Sequence, residues 1–144
     1  MNKPVFATVL GYAGLIPFIA GAAALFSEDP SISGPALYSL TVYAAVILSF
    51  MGAVHWGLAM QHHADSGHWQ LGLSVVPALV AWLSLSLQAP RESLITLAIA
   101  FSVLLLGDLW ALSKHLVPSW YRGLRIPLTI VVVISLLVAA SRIG

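Results

Sequence analysis

Five long apolar runs take up most of the sequence and leave only short polar segments between them. They cover residues 5–26, 36–60, 70–87, 93–113 and 124–140. A helix needs about 20 predominantly apolar residues to cross a bilayer, and the runs are close to that length. The first run also exceeds the roughly 7–15 residues of a signal-peptide apolar region, which favours a retained helix. The sequence therefore predicts an all-α membrane protein, a bundle of five transmembrane helices that forms one domain over residues 1–144.

The composition excludes several other classes of protein. Hydrophobic residues make up 60% of the chain, charged residues make up 8%, and the mean hydropathy is +0.97. A soluble domain has about 25% charged residues. A net charge of +1 without a basic block argues against nucleic-acid binding. Because the chain has no cysteine, disulfides, thiolate metal sites, iron–sulfur clusters and a cysteine nucleophile are excluded as well.

The basic residues indicate how the predicted helices are oriented. A cytoplasmic N-terminus would place four of the six basic residues in the cytoplasm: Lys3, Lys114, Arg122 and Arg125. Arg91 and Arg142 would then lie outside. Cytoplasmic segments of membrane proteins carry an excess of Lys and Arg. We therefore predict that the N-terminus is cytoplasmic and the C-terminus lies outside.

Two ionisable residues lie deep inside predicted helices, where an unpaired charge costs a few kcal/mol. His55 lies six residues before Gln61, and Asp108 lies six residues before Lys114. At 1.5 Å per residue, both side chains lie about 9 Å below the same surface and can meet. The pair is the centre of a candidate pocket on the cytoplasmic side, for ligand binding or proton relay. Further side chains that lie within about one helical turn of the same depth complete it: Trp56, Tyr12, Trp110 and Thr129.

A pair formed by His55 and Asp108 has two interpretations that the sequence leaves open. The pair could pass protons or hold the polar head of a lipid- or quinone-like ligand. It could equally be a structural hydrogen bond between two helices, in a structural or assembly subunit of a larger inner-membrane complex. An enzyme is less favoured, because the sequence has neither a serine nucleophile elbow nor an HExxH motif.

The other histidines gather toward one predicted membrane surface: His62, His63, His68 and His115. Neutral imidazole is a common metal ligand, but this spacing matches no specific zinc or copper pattern. A haem with two histidine ligands would need two deep histidines on facing helices, and only His55 is deep. We therefore predict solvated interfacial histidines, with no metal and no other cofactor.

Aromatic and basic residues adjoin each other where helices should leave the membrane. Trp69, Trp120 and Tyr121 lie in such segments, and Arg122 and Arg125 follow closely. Amphipathic aromatic rings concentrate at the level of lipid head groups, and basic residues beside helix ends can bind lipid phosphates. We therefore expect Trp120, Tyr121, Arg122 and Arg125 to contact head groups, which makes membrane lipids the expected partners.

Small residues occur in the first two predicted helices, in the second of them close to the level of His55: Gly11, Gly14, Ser49, Gly52, Ala53 and Gly57. Small residues allow the backbones of membrane helices to approach closely. The pattern predicts a compact bundle around His55, and it could equally mark the face of a homo-oligomer.

Three stretches of the sequence are similar to a known family and together extend over nearly the whole chain. They read LGYAGLIPFIAGA, ILSFMGAVHWGLAM and PSWYRGLRIPLTIVV, and the HWG and WYRxLR motifs are the most distinctive parts. They resemble the uncharacterised bacterial and mitochondrial inner-membrane proteins typified by transmembrane protein 69. The resemblance implies a small multipass inner-membrane protein and supplies no catalytic residues. Because the chain lacks an Arg-rich, Ser-rich amphipathic leader, we expect a bacterial inner membrane.

Overall fold

The computed structural model describes residues 2–61, 67–115 and 117–144, and this part of the chain contains helices and no strands. The helices are α1 (Lys3–Ala13), α2 (Ile16–Ala24), α3 (Pro30–Gln61), α4 (Gly67–Ser86), α5 (Pro90–Ser113) and α6 (Trp120–Ser141). α1 and α2 together form one span, so the described residues contain five helical segments long and apolar enough to cross a membrane. The predicted fold class, an all-helical membrane protein with five spans, is confirmed.

The first span is interrupted between α1 and α2, where the sequence predicts one continuous helix. Pro17 has no N–H group, so it cannot donate the helical hydrogen bond to the carbonyl of Ala13. The N–H group of Leu15 donates to Tyr12 three residues back, at 3.1 Å, which tightens the turn. The Tyr43 hydroxyl donates to the carbonyl of Gly14 at 2.9 Å and ties the interruption to α3.

All five spans begin before the apolar runs do, and the difference is largest for α3 and α6. α3 begins at Pro30 rather than at residue 36, because Asp29 caps it and proline is favoured at a first helical position. The Ser31 N–H group donates to Asp29 Oδ1 at 2.8 Å. The hydrogen bonds from Ser31 lower the pKa of the Asp29 carboxyl below its usual value. α6 begins at Trp120 rather than at residue 124, so Arg125 lies more than one turn inside the helix rather than at its start.

The hydrophobic core lies in the middle of the bundle, where α3 packs against α2, α4 and α5, and α5 packs against α6. Its largest fully buried side chains include Phe18, Leu48, Leu97, Phe101 and Leu136. The rings of Phe18 and Phe101 pack edge to face, with their centroids 6.1 Å apart. Large apolar side chains also cover the outer faces of the spans, where lipid replaces water as the neighbour.

Gly52 lies at a close approach of α3 to α4. A Cβ atom at this position would lie 2.8 Å from Pro77 Cγ and 2.9 Å from the carbonyl oxygen of Ser74. The second contact is with backbone, which cannot move aside without shifting α4. The prediction that small residues permit close helix packing is therefore confirmed at Gly52, whereas a Cβ atom at Gly57 would meet nothing within 4 Å.

Gly52→Ala is expected to lower the free energy of unfolding by about 1–3 kcal/mol, the usual cost of overpacking. Gly57→Ala is the matched control, since it adds the same methyl group to the same helix in open space. Thermal unfolding of both variants in detergent, followed by circular dichroism, measures the difference. Equal midpoints for the two variants would contradict the close packing at Gly52.

Candidate functional site

Three ionisable side chains from three helices meet inside one end of the bundle. His55 on α3 and Asp108 on α5 are each 3% exposed, and Arg125 on α6 is 4% exposed. The His55 Nε2 atom lies 2.8 Å from Asp108 Oδ1, and the Arg125 Nε–H group donates to Asp108 Oδ2 at 2.6 Å. Both oxygens of the carboxylate are therefore bound, one by each partner. We call these three residues the ion-pair cluster.

The cluster lies at the depth that helix geometry predicts for His55 and Asp108. His55 is six residues from the end of α3 at Gln61, and Asp108 is five residues from the end of α5 at Ser113. Arg125 is five residues after the start of α6, at the same end of the bundle. These spacings place all three side chains about 7–9 Å from that end. The expected contact between His55 and Asp108 is present.

The charges of the cluster explain how a carboxylate is tolerated inside the bundle. A buried carboxylate is costly unless an opposite charge and hydrogen bonds compensate it, and Arg125 supplies both. With Asp108 negative and Arg125 positive, the cluster is neutral when His55 is neutral. In that state Nε2 carries the proton that is donated to Asp108, and Nδ1 keeps a free lone pair. Nδ1 is buried and has no hydrogen-bond partner among the described residues.

Arg125 was expected at the membrane surface with Arg122, and the structure places it in the interior instead. The reason is its register on α6, because the buried face of this helix runs through Arg125, Thr129, Val132 and Leu136. These residues recur every three or four positions, as one face of a helix requires. Arg122 and Trp120 remain exposed, whereas the hydroxyl of Tyr121 is buried without a partner among the described residues.

Only one of the four side chains expected around His55 and Asp108 lies inside the bundle. Thr129 is 3% exposed and lies one turn beyond Arg125 on the same face of α6. Tyr12, Trp56 and Trp110 are 47%, 47% and 45% exposed, respectively, so they lie on outer helix faces. The position of a residue along a helix gives its depth in the membrane but not the side of the helix on which its side chain lies. The structure therefore places these three side chains on the outer surface rather than around the His55–Asp108 pair.

The histidines considered as weak metal candidates do not form a site in the part of the chain that the structure describes. His68 and His115 are exposed. His62 and His63 lie outside the described residues. Within residues 2–61, 67–115 and 117–144, no group of three His, Asp or Glu side chains is arranged to hold a metal ion.

An apolar cavity of about 270 Å³ adjoins the ion-pair cluster between α3, α4 and α5, and we call it the α4–α5 cleft. His55 forms part of its wall, together with Pro77, Leu104 and Gly107. Four further lining residues are apolar and exposed on the outer surface of the bundle: Leu73, Val76, Ile99 and Val103. The cleft therefore opens between two helices toward the surrounding lipid, and its inner wall includes an imidazole.

Comparison with known proteins gives the relationships of the chain. A family described as "Protein of unknown function (DUF3429)" matches residues 3–141. "Transmembrane protein 69" of Xenopus tropicalis is 36% identical over 138 residues, which are 94% of this chain and 53% of that protein. The protein of the same name from Mus musculus is 30% identical over 142 residues, which are 96% of this chain and 56% of that protein.

The chain thus spans about half the length of the curated relatives that it matches. No solved structure matches it. The family match includes all three residues of the ion-pair cluster and all five candidate spans. The chain therefore belongs to the DUF3429 family of transmembrane proteins, whose function is unknown.

Proposed function

We propose that this protein binds an apolar molecule with a polar head, such as a quinone-like ring or a lipid head, in the α4–α5 cleft. The ion-pair cluster forms the polar end of the site. The observation that carries the proposal is the position of His55, which belongs at once to the buried cluster and to the wall of the apolar cleft.

The shape and lining of the cleft favour a molecule that arrives through the membrane. Ligand sites are typically apolar cavities of about 300–1,000 Å³ with a few polar groups that fix orientation, and the cleft has about 270 Å³. Its outer rim consists of side chains such as Val76 and Ile99 that face lipid. An occupant must therefore be apolar where it passes the rim, and His55 is the ionisable side chain that it would meet inside, with Thr96 as a further polar residue of the lining.

The chemistry of His55 suits a ligand with an oxygen atom at its head. Asp108 holds Nε2 in its protonated form and leaves Nδ1 as the free nitrogen of the ring. Nδ1 can accept a hydrogen bond from a ligand hydroxyl, or donate one to a carbonyl oxygen once the imidazole is protonated. Arg125 binds the other carboxylate oxygen of Asp108, so Oδ1 is left as the acceptor for the imidazole. The cluster could therefore exchange a proton with the head of the ligand.

His55→Phe is expected to abolish retention of the bound molecule, because it keeps an aromatic side chain but removes both ring nitrogens. Trp56→Phe is the control, since Trp56 is the adjacent residue and faces outward. Native mass spectrometry of protein extracted gently with its lipids detects any retained molecule. Titration with a short-chain benzoquinone, followed by thermal unfolding, gives a second readout.

Wild-type protein and Trp56→Phe should both retain a ligand or be stabilised by the quinone, and His55→Phe should lose at least tenfold in affinity. If His55→Phe retains the bound molecule as well as the wild type does, the ion-pair cluster is not part of the binding site. A wild-type protein that carries no small molecule and does not respond to the quinone would contradict the proposal.

A second candidate function is structural, as a subunit of a larger inner-membrane complex or in a homo-oligomer. The observation that favours it is that both oxygens of Asp108 are already bound within the chain, as in a clamp between three helices. This function predicts that variants of the cluster change stability alone. It also predicts a second protein that copurifies with the wild-type chain in stoichiometric amount.

We also propose that the N-terminus and the cluster end face the cytoplasm. With Arg125 buried, the cluster end carries three exposed basic residues, Lys3, Lys114 and Arg122, against Arg91 and Arg142 at the other end. The excess of basic residues at the cluster end is smaller than the four against two that the sequence indicates. It still supports a cytoplasmic N-terminus. The placement in a bacterial inner membrane stays a prediction.

Cysteine labelling is expected to confirm this orientation, because the chain has no cysteine of its own. Glu28→Cys lies between α2 and α3 and should react with a membrane-impermeant maleimide on intact cells. Ser113→Cys, exposed at the end of α5, should react only after the membrane is opened. The reverse pattern would show that the N-terminus lies outside.

A further inference from the structure

Five buried polar atoms have no hydrogen-bond partner among the described residues. They are His55 Nδ1, Gln70 Nε2, Tyr121 OH, Arg125 Nη2 and Thr129 Oγ1. Buried polar groups are almost always paired with protein or with ordered water, so each unpaired group calls for an explanation. All five belong to the end of the bundle that contains the ion-pair cluster. Apart from His55, their residues lie outside the lining of the α4–α5 cleft, and one shared cause for those four is simpler than four separate defects.

The five atoms follow one another in depth. Gln70 and Tyr121 lie in the first turns of α4 and α6, nearest the surface. His55 and Arg125 come next, at the level of Asp108, and Thr129 lies one turn deeper than Arg125. From Tyr121 to Thr129 the path is about 12 Å long at 1.5 Å per residue. The unpaired atoms therefore lie at successive depths from one surface into the bundle.

The deep end of this route is a second cavity, which we call the α1–α6 cavity. It has a volume of about 120 Å³ and lies between α1, α2, α3, α5 and α6. Arg125 and Thr129 form the polar part of its lining, while Phe18, Phe101 and Val132 are apolar. Arg125 bonds to Asp108 through Nε, which leaves Nη2 available. Two residues of the cavity lining, Arg125 and Thr129, thus each have a donor that lacks a partner among the described residues.

We propose that a chain of internal water molecules runs from Tyr121 and Gln70 past the ion-pair cluster and ends in the α1–α6 cavity. A water molecule occupies about 30 Å³ of liquid and typically makes about three hydrogen bonds to buried polar groups, so the cavity can hold several. An anion fits less well, because Asp108 and Arg125 already neutralise each other and a further negative charge would lack compensation. Beyond Thr129 the core of Phe18, Phe101 and Leu136 closes the path.

The water chain gives the ion-pair cluster proton access from one face of the membrane only. This role depends on the proposed function, in which His55 exchanges a proton with a ligand in the α4–α5 cleft. The hydration itself does not depend on a ligand. An experiment that reports water alone therefore separates this inference from the ligand-binding proposal.

The natural absence of cysteine makes a single thiol a clean reporter of water. Thr129→Cys and Val132→Cys each place one thiol in the lining of the α1–α6 cavity, by substitutions that change little volume. Leu48→Cys is the control, because Leu48 is fully buried in the apolar core and the space opened there stays dry. The infrared S–H band of each purified variant is followed after transfer into D₂O, without added ligand.

The thiols of Thr129→Cys and Val132→Cys are expected to exchange at least tenfold faster than that of Leu48→Cys. Either cavity variant carries the test if the other fails to fold, as judged by circular dichroism. Slow exchange at the cavity positions, equal to that of Leu48→Cys, would show a dry cavity and overturn the inference. Equally fast exchange in all three variants would also overturn it, because the path would not end at the core.

Discussion

Arg125→Ala is expected to destabilise the folded bundle by about 3–5 kcal/mol, the usual cost of removing one partner of a buried ion pair. The substitution leaves the Asp108 carboxylate, which is 3% exposed in the wild-type protein, with the imidazole of His55 as its remaining partner. It also removes the cation that makes the cluster neutral. Unfolding by sodium dodecyl sulfate in mixed micelles, followed by circular dichroism, measures the loss.

Arg122→Ala is the control for this experiment, since Arg122 is an exposed arginine three residues earlier on the same helix. Surface substitutions change stability by about 0.5 kcal/mol or less. A loss for Arg125→Ala no larger than that for Arg122→Ala would contradict the buried ion pair. It would return Arg125 to the membrane surface, where the sequence alone places it.

A double variant separates the two candidate functions. Asp108→Leu combined with Arg125→Met removes both charges and keeps apolar bulk, and such replacements of a buried pair are often neutral or stabilising. We expect the double variant to recover most of the stability that Arg125→Ala loses. If it also retains the small molecule found with the wild type, the cluster is a structural clamp. If it is stable and empty, the cluster belongs to a binding site.

The fold could be predicted almost completely from the sequence, because crossing a bilayer imposes a simple rule of length and hydropathy. The departures have local causes that hydropathy does not measure. The break in the first span comes from the missing N–H group of Pro17. The early start of α3 comes from the Asp29 cap, and that of α6 from a helix that continues through the polar residues at 120–125.

The site could be predicted only in part, because sequence gives depth along a helix more reliably than direction around it. His55 and Asp108 met as expected since both could be counted from the ends of their helices. Tyr12, Trp56 and Trp110 were at a suitable depth but face outward. Arg125 carried a usable signal in its spacing from Thr129, Val132 and Leu136, which all lie on one face of α6.

The asymmetry of the cluster explains why its two partners should respond differently to mutation. Arg125 neutralises Asp108 and faces the α1–α6 cavity, whereas His55 is bound to the same carboxylate and faces the α4–α5 cleft. Arg125 is therefore expected to dominate stability. His55 is expected to dominate ligand binding. A variant that fills the cleft and leaves both residues intact tests whether the ligand occupies the cleft, without disturbing the ion pair.

Gly107→Leu is expected to lower ligand affinity at least tenfold while leaving the free energy of unfolding unchanged or slightly higher. Gly107 lines the α4–α5 cleft, and a Cβ atom there would meet nothing within 4 Å, so the side chain has room to extend into the space that a ligand needs. Leucine also has a helix propensity better than that of glycine by up to about 1 kcal/mol. Native mass spectrometry and the quinone titration report binding, and detergent-induced unfolding reports stability.

Gly57→Leu supplies the comparison, because Gly57 is likewise in a helix with open space around its missing side chain and lies outside the lining of the cleft. Both variants gain the same helix propensity, so a difference in binding between them measures occupation of the cleft alone. Equal retention of the ligand by the two variants would place the binding site elsewhere, since a leucine at position 107 and a ligand beside His55 compete for the same space.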